Sequence, residues 1–364
     1  MIRVLRRRHL INRETINGKR CLTMHRSLQW SIIVDVSSDL KHRENIYHEA
    51  FLLLRHRLPM KSSKPTPDPK TRPIFEELSP QVLSLRSHCR WPEPPLEFPV
   101  EFARILADVG VYLWQTGLWS DGREVLETAE SIINDRQVPH VDQLRRDVVQ
   151  HLGILNGLAG VSQRRSGMDR RVQALEIQRA IFGDTPFDAL ALDDRIRLLK
   201  AECDVGAAHW EQELYEELET IMAGFVAGCK AVGSEEAIPF EYAKYYHHMA
   251  SAAAFRGDMS TAMDYGKRSV DLMAKAAGAE HSMTLLWALG LGVLHYFNDD
   301  LKQALELNQD ILQSRKKVCG EFSAFTLESY STCGFLLYEA GDLKEAEYVA
   351  DSHVARIQDR DIQF

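Results

Sequence analysis

No apolar run in the 364 residues approaches the roughly 18 to 20 that a membrane span requires, and no signal-peptide core opens the chain. Cysteine is sparse. The six residues Cys21, Cys89, Cys203, Cys229, Cys319 and Cys333 form no CxxC pair and no paired spacing, which fits reduced thiols better than a disulfide framework. Charge of one sign forms no long block. The formal net charge of -8 is spread along the chain, so neither a nucleic-acid footprint nor a polybasic anchor is indicated, and a cytoplasmic protein is expected. A phosphate-binding loop is missing too. The nearest approach, Gly224-Phe-Val-Ala-Gly228-Cys-Lys230-Ala231, has the wrong spacing and no hydroxyl to hold magnesium, so ATP hydrolysis is not expected. There is no Gly-x-Ser-x-Gly elbow.

What is present is globular material: 45% apolar and 26% charged residues suffice for a core and exclude wholesale disorder. The four arginines of Met1 to Arg8 could open a mitochondrial presequence, but Glu14 and the pattern that follows read better as a folded hairpin. A short helix end, an apolar stretch around Leu10 and Ile11, the turn Asn17-Gly18 and the stretch Cys21-Leu22-Thr23-Met24 carry that hairpin signal, because both central turn residues must accept positive φ. Helices are expected over 27–36 and 46–58, the latter with Ile46, Ala50, Leu53 and Leu54 on one face. Four prolines between Lys61 and Pro73 mark a linker, 75–88 is helical again, and the Pro-rich Trp91 to Pro95 closes it. The units expected are therefore 1–58, a linker with one helix at 59–98, and 99–364.

From residue 99 no strand signal of weight appears, and the chain becomes periodic. Gly257-Asp-Met, Asp299-Asp-Leu and Gly341-Asp-Leu recur 42 residues apart, each followed in register by an alanine at Ala262, Ala304 and Ala346. A small residue of the first helix recurs at Gly110, Gly160, Gly206, Ala250, Gly292 and Gly334, with a turn seven residues later at Gly117, Gly167, Glu213, Gly257, Asp299 and Gly341. Small residues let two antiparallel helices approach, while Gly or Asp at the turn supplies the C-cap and the next N-cap. The implied repeats are about 99–139, 140–186, 187–237, 238–281, 282–323 and 324–364.

These residues resemble the 42-residue tetratricopeptide (TPR) repeat of kinesin light chains and of fungal proteins that join such repeats to a nucleotide-binding NB-ARC domain. Gly278-Ala-Glu-His-Ser-Met-Thr-Leu285 and Gly320-Glu-Phe-Ser-Ala-Phe-Thr-Leu327 are similar to the family's Gly-Glu-x-His-Pro-x-Thr-Leu connection. Met24-His-Arg-Ser-Leu-Gln29 resembles the end of the winged helix in the multidomain members, and Phe75-Glu-Glu-Leu-Ser-Pro-Gln-Val82 the segment leading into their repeats. The resemblance implies an all-α fold, a right-handed TPR solenoid of antiparallel helix pairs behind a small winged-helix-like remnant, without the ATPase domain and without a cofactor.

In such solenoids the first helix of each pair lines a concave groove. The groove-facing positions here give Lys200, Trp210, Lys244, His247, Tyr296, Phe297, Glu328 and Tyr338, an aromatic set with some positive charge of the kind enriched at binding hot spots. The bland alternative for each aromatic is packing between neighbouring repeats. Adjacent His247 and His248 point about 100° apart on a helix and cannot share one metal ion unaided. Asp299-Asp300 falls at a turn, where it caps a helix. The paired Lys and Asn that hold a terminal carboxylate in chaperone-binding TPRs are absent. The function expected is that of a non-catalytic interaction module with a protein or peptide partner; the alternative is an accessory or enzymatic protein of a biosynthetic pathway with a small-molecule pocket. A long open groove favours the first, and a closed apolar cavity with convergent carboxylates or histidines the second. Val349, Val354 and Ile357 at the last helix point to weak self-association.

Overall fold

A computed structural model of the chain describes residues 11–16, 19–37, 39–61, 69–89, 99–134 and 141–363. Strand β1 (Ile11–Ile16) pairs antiparallel with β2 (Lys19–Met24), Ile11 opposite Met24 and Ile16 opposite Lys19. The Asn17-Gly18 turn, and the helix end expected within residues 1–10, lie outside the described residues. Helices α1 (Arg26–Ser37) and α2 (Leu40–Arg57) follow. Asp39 caps α2 by accepting from the His42 N–H at 3.1 Å. This helix buries Arg43, Tyr47 and Phe51, spaced four apart, whereas Ile46 and Leu53 are exposed. The expected face therefore needs correction: two aromatic rings bury more apolar area than the aliphatic stripe beside them and take the inner side.

The chain divides into two compact units, Met1–Leu58 with Pro80–Glu97, and Pro59–Ser79 with Phe98–Phe364. The division falls at Pro80 inside α3 (Arg72–Cys89), at a residue without an N–H to give the helical ladder. The stretch 59–98 is thus shared between the two units.

The second unit continues as six antiparallel helix pairs. They are α4 (Val100–Gln115) with α5 (Trp119–Asn134), α6 (Asp142–Leu158) with α7 (Val161–Phe182), and α8 (Leu192–Glu211) with α9 (Tyr215–Val232). Then come α10 (Pro239–Phe255) with α11 (Met259–Ala277), α12 (Ser282–Phe297) with α13 (Leu301–Cys319), and α14 (Ala324–Glu339) with α15 (Leu343–Gln363). Each pair packs on the next, giving a solenoid whose first helices share the inner side.

Local chemistry explains the pairs. Five of the intra-pair turns place one residue in the left-handed region, at Gly117, Glu213, Gly257, Asp299 and Gly341. The next residue's N–H then reaches back to a carbonyl five positions earlier, as in Asp258 to Ala253 and Asp300 to His295. Asp258, Asp300 and Asp342 in turn accept from the N–H of Thr261, Gln303 and Glu345, so one motif closes one helix and opens the next. Between pairs, the Thr284 and Thr326 hydroxyls donate to the Gly278 and Gly320 carbonyls at 2.7 Å, which accounts for the Gly and Thr of the connection.

Small residues set the spacing within pairs. A methyl on Gly206 would stand 2.3 Å from Met222 Cε, and one on Gly292 would stand 2.2 Å from Asn308 Nδ2. In the second pair the register differs from expectation. Gly160 is the turn, at φ +121, and Gly167 lies inside α7 against Gly153 and Gly157. Four glycines spaced by four, three and seven residues allow the pattern to be set one step too late, and close approach of α6 and α7 backbones decides it.

Candidate functional site

The solenoid returns on itself. At the α4–α5 turn the Thr116 carbonyl accepts from the Ser323 hydroxyl at 2.7 Å, and the Gly117 carbonyl from the Ala324 N–H at 3.1 Å, although 207 residues separate Ser323 from Thr116. Trp119 meets Phe325 edge to face at 5.4 Å beside these bonds. The first pair and the start of α14 thus form a seam, and the concave side becomes a partly enclosed cavity of about 900 Å³. That volume lies within the range of ligand sites for drug-sized molecules.

Its wall is built from the inner stripes of the first helices. Lys200, Asp204, Ala207 and Glu211 line it from α8, and Phe240, Lys244, His247, His248 and Ser251 from α10. Spacings of three and four put these side chains on one helix face. Val111 and Trp114 of α4, His151 and Ile154 of α6, Met283, Leu286 and Trp287 of α12, and Phe325 and Glu328 of α14 complete it, with Lys61 from the segment before α3.

Of the eight residues singled out in the sequence, Lys200, Trp210, Lys244, His247, Phe297 and Glu328 line this cavity. Tyr296 and Tyr338, in the last turns of α12 and α14, are not among its lining residues. Tyr296 donates to Glu339 Oε2 at 3.3 Å and meets Phe297 and Phe335 edge-on, while Tyr338 is exposed. The eight omitted Asp204, Glu211, Arg171, Trp287 and Phe325, all of which line the wall. The stripe rule applied from Lys200 reaches Asp204 and Glu211, whereas Arg171 comes from the second helix of its pair and has no such signal.

Most cations of the wall and of the layer behind it have carboxylate partners. Arg171 Nη2 contacts Glu211 at 2.7 and 3.0 Å. Arg146 pairs with Asp147 at 3.0 Å and donates to Gln150 at 2.6 Å, and Gln150 in turn donates to Asp204. Lys244 pairs with Glu241 and lies over the Phe240 ring. Arg315 contacts Glu328 at 3.0 Å. Among the described residues Lys200 has no hydrogen-bond or ion-pair partner. Burial holds its ammonium below the usual lysine range, with Asp204 opposing and Arg146 reinforcing the shift.

The three cavity imidazoles are held towards their neutral form. Burial alone lowers His247 to about 4; burial, reinforced by Lys244 and Arg171 at His248 and by Lys200 and Arg146 at His151, drives those two well below the usual value. His247 stacks on Trp287 at 5.0 Å, and both it and His248 lie near Trp210. Among the described residues no hydroxyl or thiol is hydrogen-bonded to any of these three imidazoles, and no three His, Cys, Asp or Glu side chains are placed to share a metal ion. The lining is apolar and aromatic with a few fixed polar groups, the composition common to ligand pockets. No helix among the described residues is long and apolar enough to cross a membrane.

Residues 284–324 match the family model described as tetratricopeptide repeat. The fold is a TPR-like solenoid. NprR in complex with its cognate peptide NprX is similar at 13% identity and a TM-score of 0.61, covering 91% of this chain and 85% of that one. A Rap protein complexed with competence and sporulation factor is similar at 12% identity and a TM-score of 0.54, covering 92% and 87%. Nearly identical TPR-like repeats of kinesin light chain type from Podosopora anserina match at 17% identity and a TM-score of 0.41, covering 61% of this chain and 99% of that one. No curated protein matches the sequence.

Proposed function

We propose that the chain is a non-catalytic TPR module that receives a short peptide segment of a protein partner inside the concave cavity. The observation carrying this reading is the enclosure of the inner faces by the seam between Thr116–Gly117 and Ser323–Ala324. A space of about 900 Å³ admits a short segment and excludes a folded domain. The peptide in the NprR complex supports it, on a similar solenoid. The N-terminal hairpin and helices, with the motif Met24 to Gln29, are the reason to place the chain beside NB-ARC/TPR sensors, and the free thiols of Cys203, Cys229, Cys319 and Cys333 the reason to place it beside cytoplasmic proteins.

Trp114, Trp210 and Trp287 line the cavity and report on it without a label. Titration with a mixed hexapeptide library should give a saturable change in tryptophan emission, and Gly290→Phe should abolish it. Gly290 lines the cavity and a methyl there already meets His247 Cε1 at 3.4 Å, so a ring fills the space. Unchanged emission across the library would defeat the peptide reading. The second reading, a small-molecule pocket, is favoured by the same enclosure and by the convergence of Asp204, Glu211 and three imidazoles; saturation by small apolar compounds but by no peptide would establish it.

A further inference from the structure

We infer that the cavity takes a ligand bearing a single carboxylate, and that Lys200 is the residue that holds it. The inference rests on the reading of the cavity as a binding site and goes further by naming the chemistry of what enters.

A lysine ammonium has three N–H donors and no acceptor of its own, and leaving them unmatched away from water is costly. The other basic groups around α8 and α10 each have a carboxylate partner within the protein. Arg171 has Glu211, Arg146 has Asp147 and Gln150, and Lys244 has Glu241. Lys200 lines the cavity between them with none. Asp204, one turn along the same helix, is engaged by the Gln150 amide and stands beyond ion-pair distance of Lys200. The Lys200 ammonium, half-buried and at the cavity surface, therefore has its acceptors on the cavity side, water when the cavity is empty and a ligand's oxygen when it is filled.

Charge selects the acceptor. One unpartnered ammonium matches one carboxylate, whereas a phosphate brings about two negative charges into a wall that also holds Asp204 and Glu211. The remaining lining suits an apolar or aromatic body: Trp210, His247 and Trp287 are arranged ring against ring on the neighbouring helices. An anionic head with an aromatic or aliphatic remainder thus fits the site. A peptide's C-terminal carboxylate, an Asp or Glu side chain of a peptide, and a free arylalkanoic acid share that chemistry.

The test compares wild type with Lys200→Met on four probes read by tryptophan emission. These are the hexapeptide library as free acids, the same library with amidated C-termini, 3-phenylpropionate, and its neutral counterpart 3-phenylpropanol. At least one carboxylate probe should bind the wild type and lose affinity about tenfold to hundredfold in Lys200→Met, the range of one charge-assisted hydrogen bond. 3-Phenylpropanol, the neutral probe, should bind both proteins alike, which also shows that the variant is folded. Free-acid peptides favoured over amides assign the terminal carboxylate; amidated Asp- or Glu-containing peptides that still depend on Lys200 assign a side chain; dependence confined to 3-phenylpropionate assigns an organic acid. Carboxylate and neutral probes bound equally by both proteins would overturn the role of Lys200 while leaving the cavity a binding site. Binding of none of the four would remove the site itself, and the inference with it.

Discussion

Replacing Gly117 with alanine should cost far more than the same change at Gly257, and the difference measures the seam. Both glycines occupy the same turn position with nearly the same backbone, φ +78 and +81. The left-handed strain of an alanine, about 1 kcal/mol, is common to both. The surroundings differ. A methyl on Gly257 meets nothing within 4 Å, whereas one on Gly117 stands 2.2 Å from Ser323 Oγ and 3.1 Å from the Phe325 N and Cδ2 atoms. Ser323 is 2% exposed and its hydroxyl is held by the Thr116 carbonyl, so it cannot turn aside without losing that bond. Relief of the clash forfeits the Ser323 and Ala324 hydrogen bonds, about 1 kcal/mol each. Gly117→Ala should therefore lose about 3 kcal/mol against about 1 kcal/mol for Gly257→Ala. Urea denaturation of the two variants gives the difference, and small-angle scattering should show a larger radius of gyration for Gly117→Ala alone. Equal losses with unchanged scattering would refute a closed seam.

Two further outcomes are expected from the same reasoning. Glu213 and Asp299 hold left-handed backbone at φ +62 and +59 with a side chain present, so Glu213→Gly and Asp299→Gly should each raise the urea midpoint, by a gain of up to about 1 kcal/mol. His247 and His281 are both lowered to about 4 by burial, so as pH falls through 6.5 the unfolded chain takes up their protons before the folded one does. Stability is then full above about pH 7 and declines towards pH 4, by on the order of 3 kcal/mol per histidine. His247→Gln should flatten that slope by up to one proton, and an unchanged slope in urea melts at successive pH values would count against a buried neutral imidazole.

The helix pairs were legible because their chemistry is local. Ala262, Ala304, the capping aspartates 258, 300 and 342, and the Gly278 and Gly320 connections act within one or two turns of their place in the chain. The misplaced register of the second pair has the same origin, since Gly153, Gly160 and Gly167 are spaced by sevens and only the contact of α7 with α6 separates turn from interior. Much of the cavity wall followed from helical position, including Lys200, Trp210, Lys244 and His247. The seam did not, because a serine hydroxyl reaching a carbonyl 207 residues away leaves no periodic trace. Nor did the isolation of Lys200, which is defined by where the carboxylates of other helices point.

The closed seam also changes how such a chain comes apart. In an open array each repeat touches only its neighbours, so unfolding frays inward from either terminus. Here α4 and α5 are held on a second side by α14, and the terminal pair that would fray first is clasped. Joining points 207 residues apart in a random chain costs about 5 kcal/mol of loop-closure entropy. Stacked pairs bring those points together beforehand, so most of that cost is met by the neighbour-to-neighbour packing and not by the clasp itself. Opening of the clasp would widen the way into the partly enclosed interior, which ties exchange through the site to sub-global opening as well as to side-chain motion.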